Sequence, residues 1–125
     1  MKKMLLLMAG AVLFVSGWMM GAQKYEKPKS LLHIVTIRWK EGATAAQKTA
    51  ALKGVETMAS QIPGVTRVWT KGIKVQGEGY TDAFVMEFAD AAAFKAYADH
   101  QAHKEWEKIY LPIRGESTTH DVTNP

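Results

Sequence analysis

The chain has no cysteine, which excludes a disulfide scaffold, a thiolate nucleophile, a cysteine-ligated metal and a lipid-modified amino-terminal cysteine. It has no basic stripe either. Its 16 Lys plus Arg against 12 Asp plus Glu are scattered, so nucleic acid is not an expected partner. No acidic residue beyond Asp99 is assigned to the histidines as a metal-ligating partner. No metal is therefore expected on His100 and His103, although His33 or His120 would complete a ligand set. Nothing marks a haem ligand, and no cofactor is expected.

The amino terminus reads as a targeting segment, with Lys2 and Lys3 followed by an apolar stretch from Met4 to Met20 and then Gly21-Ala22. Residues 1–22 are predicted to be a signal peptide or an amino-terminal anchor. A cut after Ala22 satisfies the small-residue rule at its last position, whereas Met20 two before it is bulky. If the segment stays, residues 4–22 approach the ~20 residues a spanning helix needs and form the expected membrane contact. Either way the remainder is expected to be exported, periplasmic or secreted. Residues 23–30, charged and carrying Pro28, read as a linker.

One domain is expected over residues 31–122. Leu31 to Trp39 alternates as a strand, with His33, Val35, Ile37 and Trp39 on one face and Leu32, Ile34, Thr36 and Arg38 on the other. Thr44-Ala45-Ala46-Gln47 is a capping box, Leu52, Val55 and Ile62 recur at helical spacing, and Pro63-Gly64 ends that helix. Val65 to Val75 and Thr81 to Phe88 predict two strands joined around Gly77-Glu78-Gly79 as an antiparallel hairpin. Asp90 caps a further helix, a short helical piece runs from Ala102 to Leu111, and Arg114 to Val122 is a polar edge strand. The order strand, helix, strand, strand, helix, strand predicts an α+β, ferredoxin-like βαββαβ domain: a four-stranded antiparallel sheet with both helices on one face. The other face is left open and apolar. A second copy packed against it would give a dimeric α/β barrel, so the chain itself is the expected partner.

The chemistry-bearing groups concentrate in Tyr97-Ala98-Asp99-His100-Gln101-Ala102-His103, with His33 on the first strand. Histidine titrates nearest neutrality, and a phenol can hydrogen-bond a substrate oxygen without a charge of its own. Six residues of unbroken helix would set Tyr97 and His103 about 120° apart, so convergence needs a break near Asp99 to Gln101. A structural role is open to the same residues, with Tyr97 as a core aromatic, His103 on a helix end and His33 as an interior group.

These marks together resemble the stress-responsive A/B barrel, or Dabb, domain family of the dimeric α/β-barrel superfamily. They are the His33-Ile34-Val35 strand, the Ile62-Pro63-Gly64-Val65 helix end, Gly79-Tyr80 before the third strand, Tyr97 with His100-Gln101-Ala102-His103, and Asp121 in the last strand. Gln101 stands where the family often has proline. The resemblance implies a homodimer with a small-molecule cavity between sheet and helices of each subunit. A plant polyketide cyclase of the family uses residues corresponding to Tyr97 and His103, which are accordingly the expected catalytic pair. His33, Val35 and Ile37 of the first strand and Leu52 and Val55 of the first helix are the expected substrate-binding positions. Ala51, Leu52 and Val55 replace aromatic residues of that cyclase, and Ser117 and Thr119 replace apolar ones. A smaller-sided, more polar cavity is expected, unsuited to a long alkyl chain. Trp39, Trp69 and Trp106 either narrow it or serve packing. The function implied is binding of a small carbonyl or phenolic molecule, with cofactor-free proton transfer or cyclisation next to a carbonyl. A non-enzymatic stress-response or ligand-binding protein is the alternative.

Overall fold

A computed structural model describes residues 24–125. The expected leader lies outside the described residues. The elements are β1 (Leu31–Trp39), α1 (Ala45–Gln61), β2 (Val65–Trp69), β3 (Asp82–Phe88), α2 (Ala91–Tyr97), α3 (Gln101–Tyr110) and β4 (Arg114–Val122). The four strands form one sheet in the order β2-β3-β1-β4, antiparallel at every pairing. This is the ferredoxin-like arrangement, with β4 at an edge. Among the described residues no helix is long and apolar enough to cross a membrane.

Local signals account for most of this frame. Gln47 N–H donates to the Thr44 hydroxyl at 3.1 Å and Thr44 N–H to the Gln47 side-chain oxygen at 2.9 Å, completing the capping box. The helix then buries Ala51, Val55 and Met58 at intervals of four and three. Gly64, at φ +89°, swings the chain from α1 into β2, and a side chain there would start 2.4 Å from the Ala93 methyl. Asp90 caps α2 by accepting from Ala93 N–H at 2.8 Å.

The alternation of β1 sorts the two faces. Val35, Ile37 and Trp39 join Phe84, Met86 and Phe88 of β3 in a core closed by the helices, where Tyr97, Ala102, Trp106 and Tyr110 pack. Leu32, Ile34, Thr36 and Arg38 point the other way, beside Val85 and Glu87 of β3 and His120 and Val122 of β4. The sheet face away from the helices thus carries half-exposed apolar side chains, including Trp69 at its β2 edge.

On that face Glu87 is the buried charge. Arg67 grips it through Nε and Nη2, both at 2.7 Å, while the Thr66 and Ser30 hydroxyls donate at 2.6 and 3.0 Å. The guanidinium and the hydroxyls hold its carboxyl down at about 2 despite burial.

One expectation is corrected. The second strand ends at Trp69 rather than Val75, and the hairpin connection is the long segment 70–81. Among the described residues β2 is an edge strand that pairs with β3 as far as Trp69 and Val85; β3 continues to Asp82, but the chain leaves its edge after Trp69, where Gly72 interrupts the β-forming run. The linker forms no helix or strand over residues 24–30. Asn124 and Thr123 side chains donate to the carbonyls of Pro28, Lys29 and Ser30, which seats its last residues beside the carboxyl end.

Candidate functional site

The break required between Tyr97 and His103 exists, and a histidine makes it. α2 stops at Tyr97, and His100 adopts extended geometry (φ −68°, ψ 139°) as the N-cap of α3. Its Nδ1 accepts from Ala102 N–H at 3.0 Å, which places the ring proton on Nε2. Its carbonyl accepts from His103 and Lys104 N–H. An imidazole nitrogen here does the work of an Asn or Ser oxygen at an ordinary cap. The turn brings the rings of Tyr97 and His103 to 4.3 Å between centroids.

Their surroundings fix the tautomers. His103 Nδ1 lies 3.1 Å from the Ala98 carbonyl and 3.4 Å from a Glu107 carboxylate oxygen. Both can only accept, so Nδ1 donates, and in the neutral ring Nε2 then carries the lone pair. His33 repeats the arrangement, with Nδ1–H donating to Asp121 at 2.6 Å. His33 sits opposite Asp121 in the β1–β4 register, and its ring is 5.5 Å from that of Tyr97. Tyr97 thus lies between two imidazoles, each oriented by an oxygen behind it. Burial pushes the Tyr97 phenol well above its ordinary value, and the nearby Glu107, Tyr110 and Asp121 add to the rise. It stays protonated and able to donate at any physiological pH.

A cavity of about 170 Å³ opens beside these groups. Its wall includes His33 and Val35 of β1, Phe84 of β3, Tyr97, the α3 residues His103, Trp106, Glu107 and Tyr110, then Leu111, Arg114, Ser117 and Thr119. The His33 and His103 side chains retain 13% and 17% exposure, enough to meet a ligand from the cavity. Of the sequence-predicted site residues, Tyr97, His103, His33 and Val35 converge here. Ile37, Leu52 and Val55 do not line this cavity. Ile37 and Val55 are fully buried in the core, and Leu52 packs against it.

Trp106 explains why the first helix is absent from the wall. Its indole N–H donates to the Ala51 carbonyl at 2.8 Å, its ring stacks on Tyr110 at 4.3 Å, and it meets Phe84 edge-on at 5.5 Å. The indole fits between α1 and the cavity because residue 54 is glycine: a Cβ there would lie 2.9 Å from Trp106 Cδ1. The expectation of small-sided walls is corrected accordingly. Aromatic rings wall the space, supplied by α3 and β3 instead of α1, while Ser117 and Thr119 are polar as expected. Trp39 belongs to the core, donating to Asp82 at 2.6 Å, and Trp69 lies half-exposed on the far face.

Sequence reasoning missed Asp121 as a site residue, along with Glu107, Tyr110 and Arg114. The spacing of His103, Trp106, Glu107 and Tyr110 on one helical stripe was a usable signal for the α3 side. Asp121 was marked only by the family resemblance, and its pairing with His33, 88 residues away in sequence, had no local signal. Among the described residues no cluster of three metal-ligating side chains occurs.

Residues 31–124 match the stress responsive A/B barrel domain, Dabb. No curated protein matches the chain. Among solved structures it is similar to a Dabb family protein with a ferredoxin-like fold from Mesorhizobium loti, at 26% identity and TM-score 0.65, over 77% of this chain and 97% of that one. A dimeric ferredoxin-like protein of unknown function from Thermobifida fusca shares 20% identity over 81% of this chain and 96% of that one, with TM-score 0.66. A hydroxynitrile lyase from Passiflora edulis shares 17% identity over 76% and 93% of the two chains, with TM-score 0.68.

Proposed function

The chain belongs to the stress responsive A/B barrel domain family, and on that premise we propose that it is an exported homodimer binding a small carbonyl-containing or phenolic molecule in the cavity beside Tyr97. The single observation that carries the reading is the convergence of Tyr97, His103 and His33 on one aromatic-walled space, with Nδ1 of each histidine held by an oxygen behind its ring. In the catalytic form of this proposal His103 Nε2 takes a proton from the carbon next to a ligand carbonyl. The Tyr97 hydroxyl donates to the oxygen where negative charge develops, and His33, held by Asp121, lines the pocket. The reaction needs no cofactor. A non-catalytic ligand-binding role uses the same cavity, and the packing of Tyr97 against Phe88 at 5.2 Å and Phe94 at 6.3 Å favours it, since a phenol wedged so is also a core residue.

Support for the dimer comes from the apolar sheet face and from the dimeric state of the Thermobifida fusca protein. Support for export comes from Lys2, Lys3 and the apolar stretch after them. A thermal-shift screen of carbonyl and phenolic compounds on the full chain tests the site. Hits should weaken in Tyr97→Phe and His103→Ala, and hits indifferent to both changes would sink it. Turnover of a hit separates the catalytic form from the binding one. Light scattering should give a dimer at micromolar concentration, and cell fractionation should find the chain outside the cytoplasm.

A further inference from the structure

The far end of the same cavity has a chemistry that the histidines and Tyr97 do not use. Among the described residues the buried Tyr110 hydroxyl has no hydrogen-bond partner of good geometry, although Ser117 and Arg114 lie near it, and its residue is only 4% exposed. Native proteins rarely leave such a group orphaned without a reason. Arg114 lies over the Tyr110 ring, its guanidinium carbon 5.7 Å from the centroid. A guanidinium has five N–H donors, so an approach to the Tyr110 oxygen still leaves several for a ligand. Arg38 and Arg67 are committed to Glu116 and Glu87, whereas Arg114 makes no ion pair among the described residues. Ser117 completes the end wall.

The two ends of the cavity differ in sign. Burial raises the Tyr110 phenol, and Ser117 and Arg114, close to its oxygen, pull it back. Beside Tyr97, on which the Tyr110 phenol also acts, the charges are those of Glu107 and Asp121, with Glu107 drawn to His103 and Asp121 to His33. Between the ends stand the rings of Phe84 and Trp106. The volume of about 170 Å³ is close to the ~150 Å³ that accommodates benzene in an apolar protein cavity. One ring with short substituents fits.

We infer that Arg114, Tyr110 and Ser117 form an anion-binding end, so that the ligand is a single-ring aromatic acid with its carboxylate on Arg114 and its carbonyl or hydroxyl group toward Tyr97 and His103. This rests on the reading of the cavity as a ligand site. The Tyr110 hydroxyl donates to the carboxylate, and the guanidinium provides charge-assisted hydrogen bonds.

Calorimetric titration of the full chain with 4-hydroxybenzoate and with the neutral, nearly isosteric 4-hydroxybenzamide tests it. The acid should bind about tenfold tighter or more, the usual worth of a charge-assisted hydrogen bond. Arg114→Gln should abolish that preference without weakening the amide. Tyr110→Phe should weaken the acid several-fold while leaving the melting temperature of the free protein unchanged or higher, because it removes an unpaired hydroxyl. Equal affinity for acid and amide, or a preference that survives Arg114→Gln, overturns the anionic end and leaves the proposed cavity standing. Failure of both probes to bind at millimolar concentration overturns this inference and counts equally against the cavity as a ligand site.

Discussion

Replacing His100 with alanine removes the side-chain acceptor of Ala102 N–H, 3.0 Å away, and substitutes a better helix former where α2 and α3 must separate. Loss of a capping acceptor costs about 1 kcal/mol. For a domain of this size that lowers the melting temperature by roughly 4–8 °C. The local consequence is sharper than the global one. An alanine at 100 favours continuation of the helix, which would carry Tyr97 and His103 toward the about 120° separation of an unbroken helix. Their rings, 4.3 Å apart in the capped arrangement, would no longer face one cavity. Urea unfolding followed by tryptophan fluorescence measures the stability, and thermal-shift response to a screened ligand reports the site. His100→Asn, whose side-chain oxygen can accept the same N–H, should recover most of both. The reasoning is refuted if His100→Ala is as stable as the parent, or if asparagine and alanine behave alike.

Other consequences follow from neighbouring contacts. Gly54→Ala places a methyl 2.9 Å from Trp106 Cδ1 and 3.1 Å from Ile109 Cδ1; half-exposed Ile109 can yield, but buried Trp106 can move only toward the cavity. Overpacking of about 1–3 kcal/mol should outweigh the ~1 kcal/mol gained in helix propensity, giving a lower melting temperature and weaker ligand response. A stabilised variant would mean that the indole does not fill that gap. For Glu87, held at about 2 against an ordinary 4.5, the depressed value means that its contribution is present above about pH 4.5 and is lost as pH falls through about 2. The full shift corresponds to ~3 kcal/mol, and solvent screening of a pair whose guanidinium is largely exposed reduces it to about 1–2. The urea midpoint of Glu87→Gln should trail the parent at pH 7 by a gap that narrows below about pH 4.5 and closes only below about pH 2; a gap independent of pH would contradict the assignment.

How far the sequence foretells this structure depends on the range of the signal. Thr44 with Gln47, Asp90, and Pro63-Gly64 act within a few residues, and the helices begin and end where these signals place them. The alternation of β1 identified its two faces for the same reason. The length of β2 was not readable, because the point where an edge strand leaves its neighbour is set by tertiary structure, and β3 itself continues to Asp82. Convergence of Tyr97 and His103 could be stated only as a condition, a break between them. His100 meets that condition through a capping geometry that its residue type rarely advertises. The carboxylate behind His33 depends on the β1–β4 register and is invisible locally. Leu52 and Val55 were assigned to the cavity by correspondence with another protein, whereas here Trp106 occupies the space in front of their helix.

The central claim is that a small molecule binds among Tyr97, His103 and His33. The most direct measurement is an NMR titration of the isotopically labelled chain with 4-hydroxyacetophenone, a neutral compound carrying both a carbonyl and a phenol. The account predicts saturable shifts at the His33 and His103 ring resonances and the Trp106 indole N–H. Shifts confined to Trp69, Val122 and the other side chains of the open sheet face, or none at saturating concentration, would contradict it.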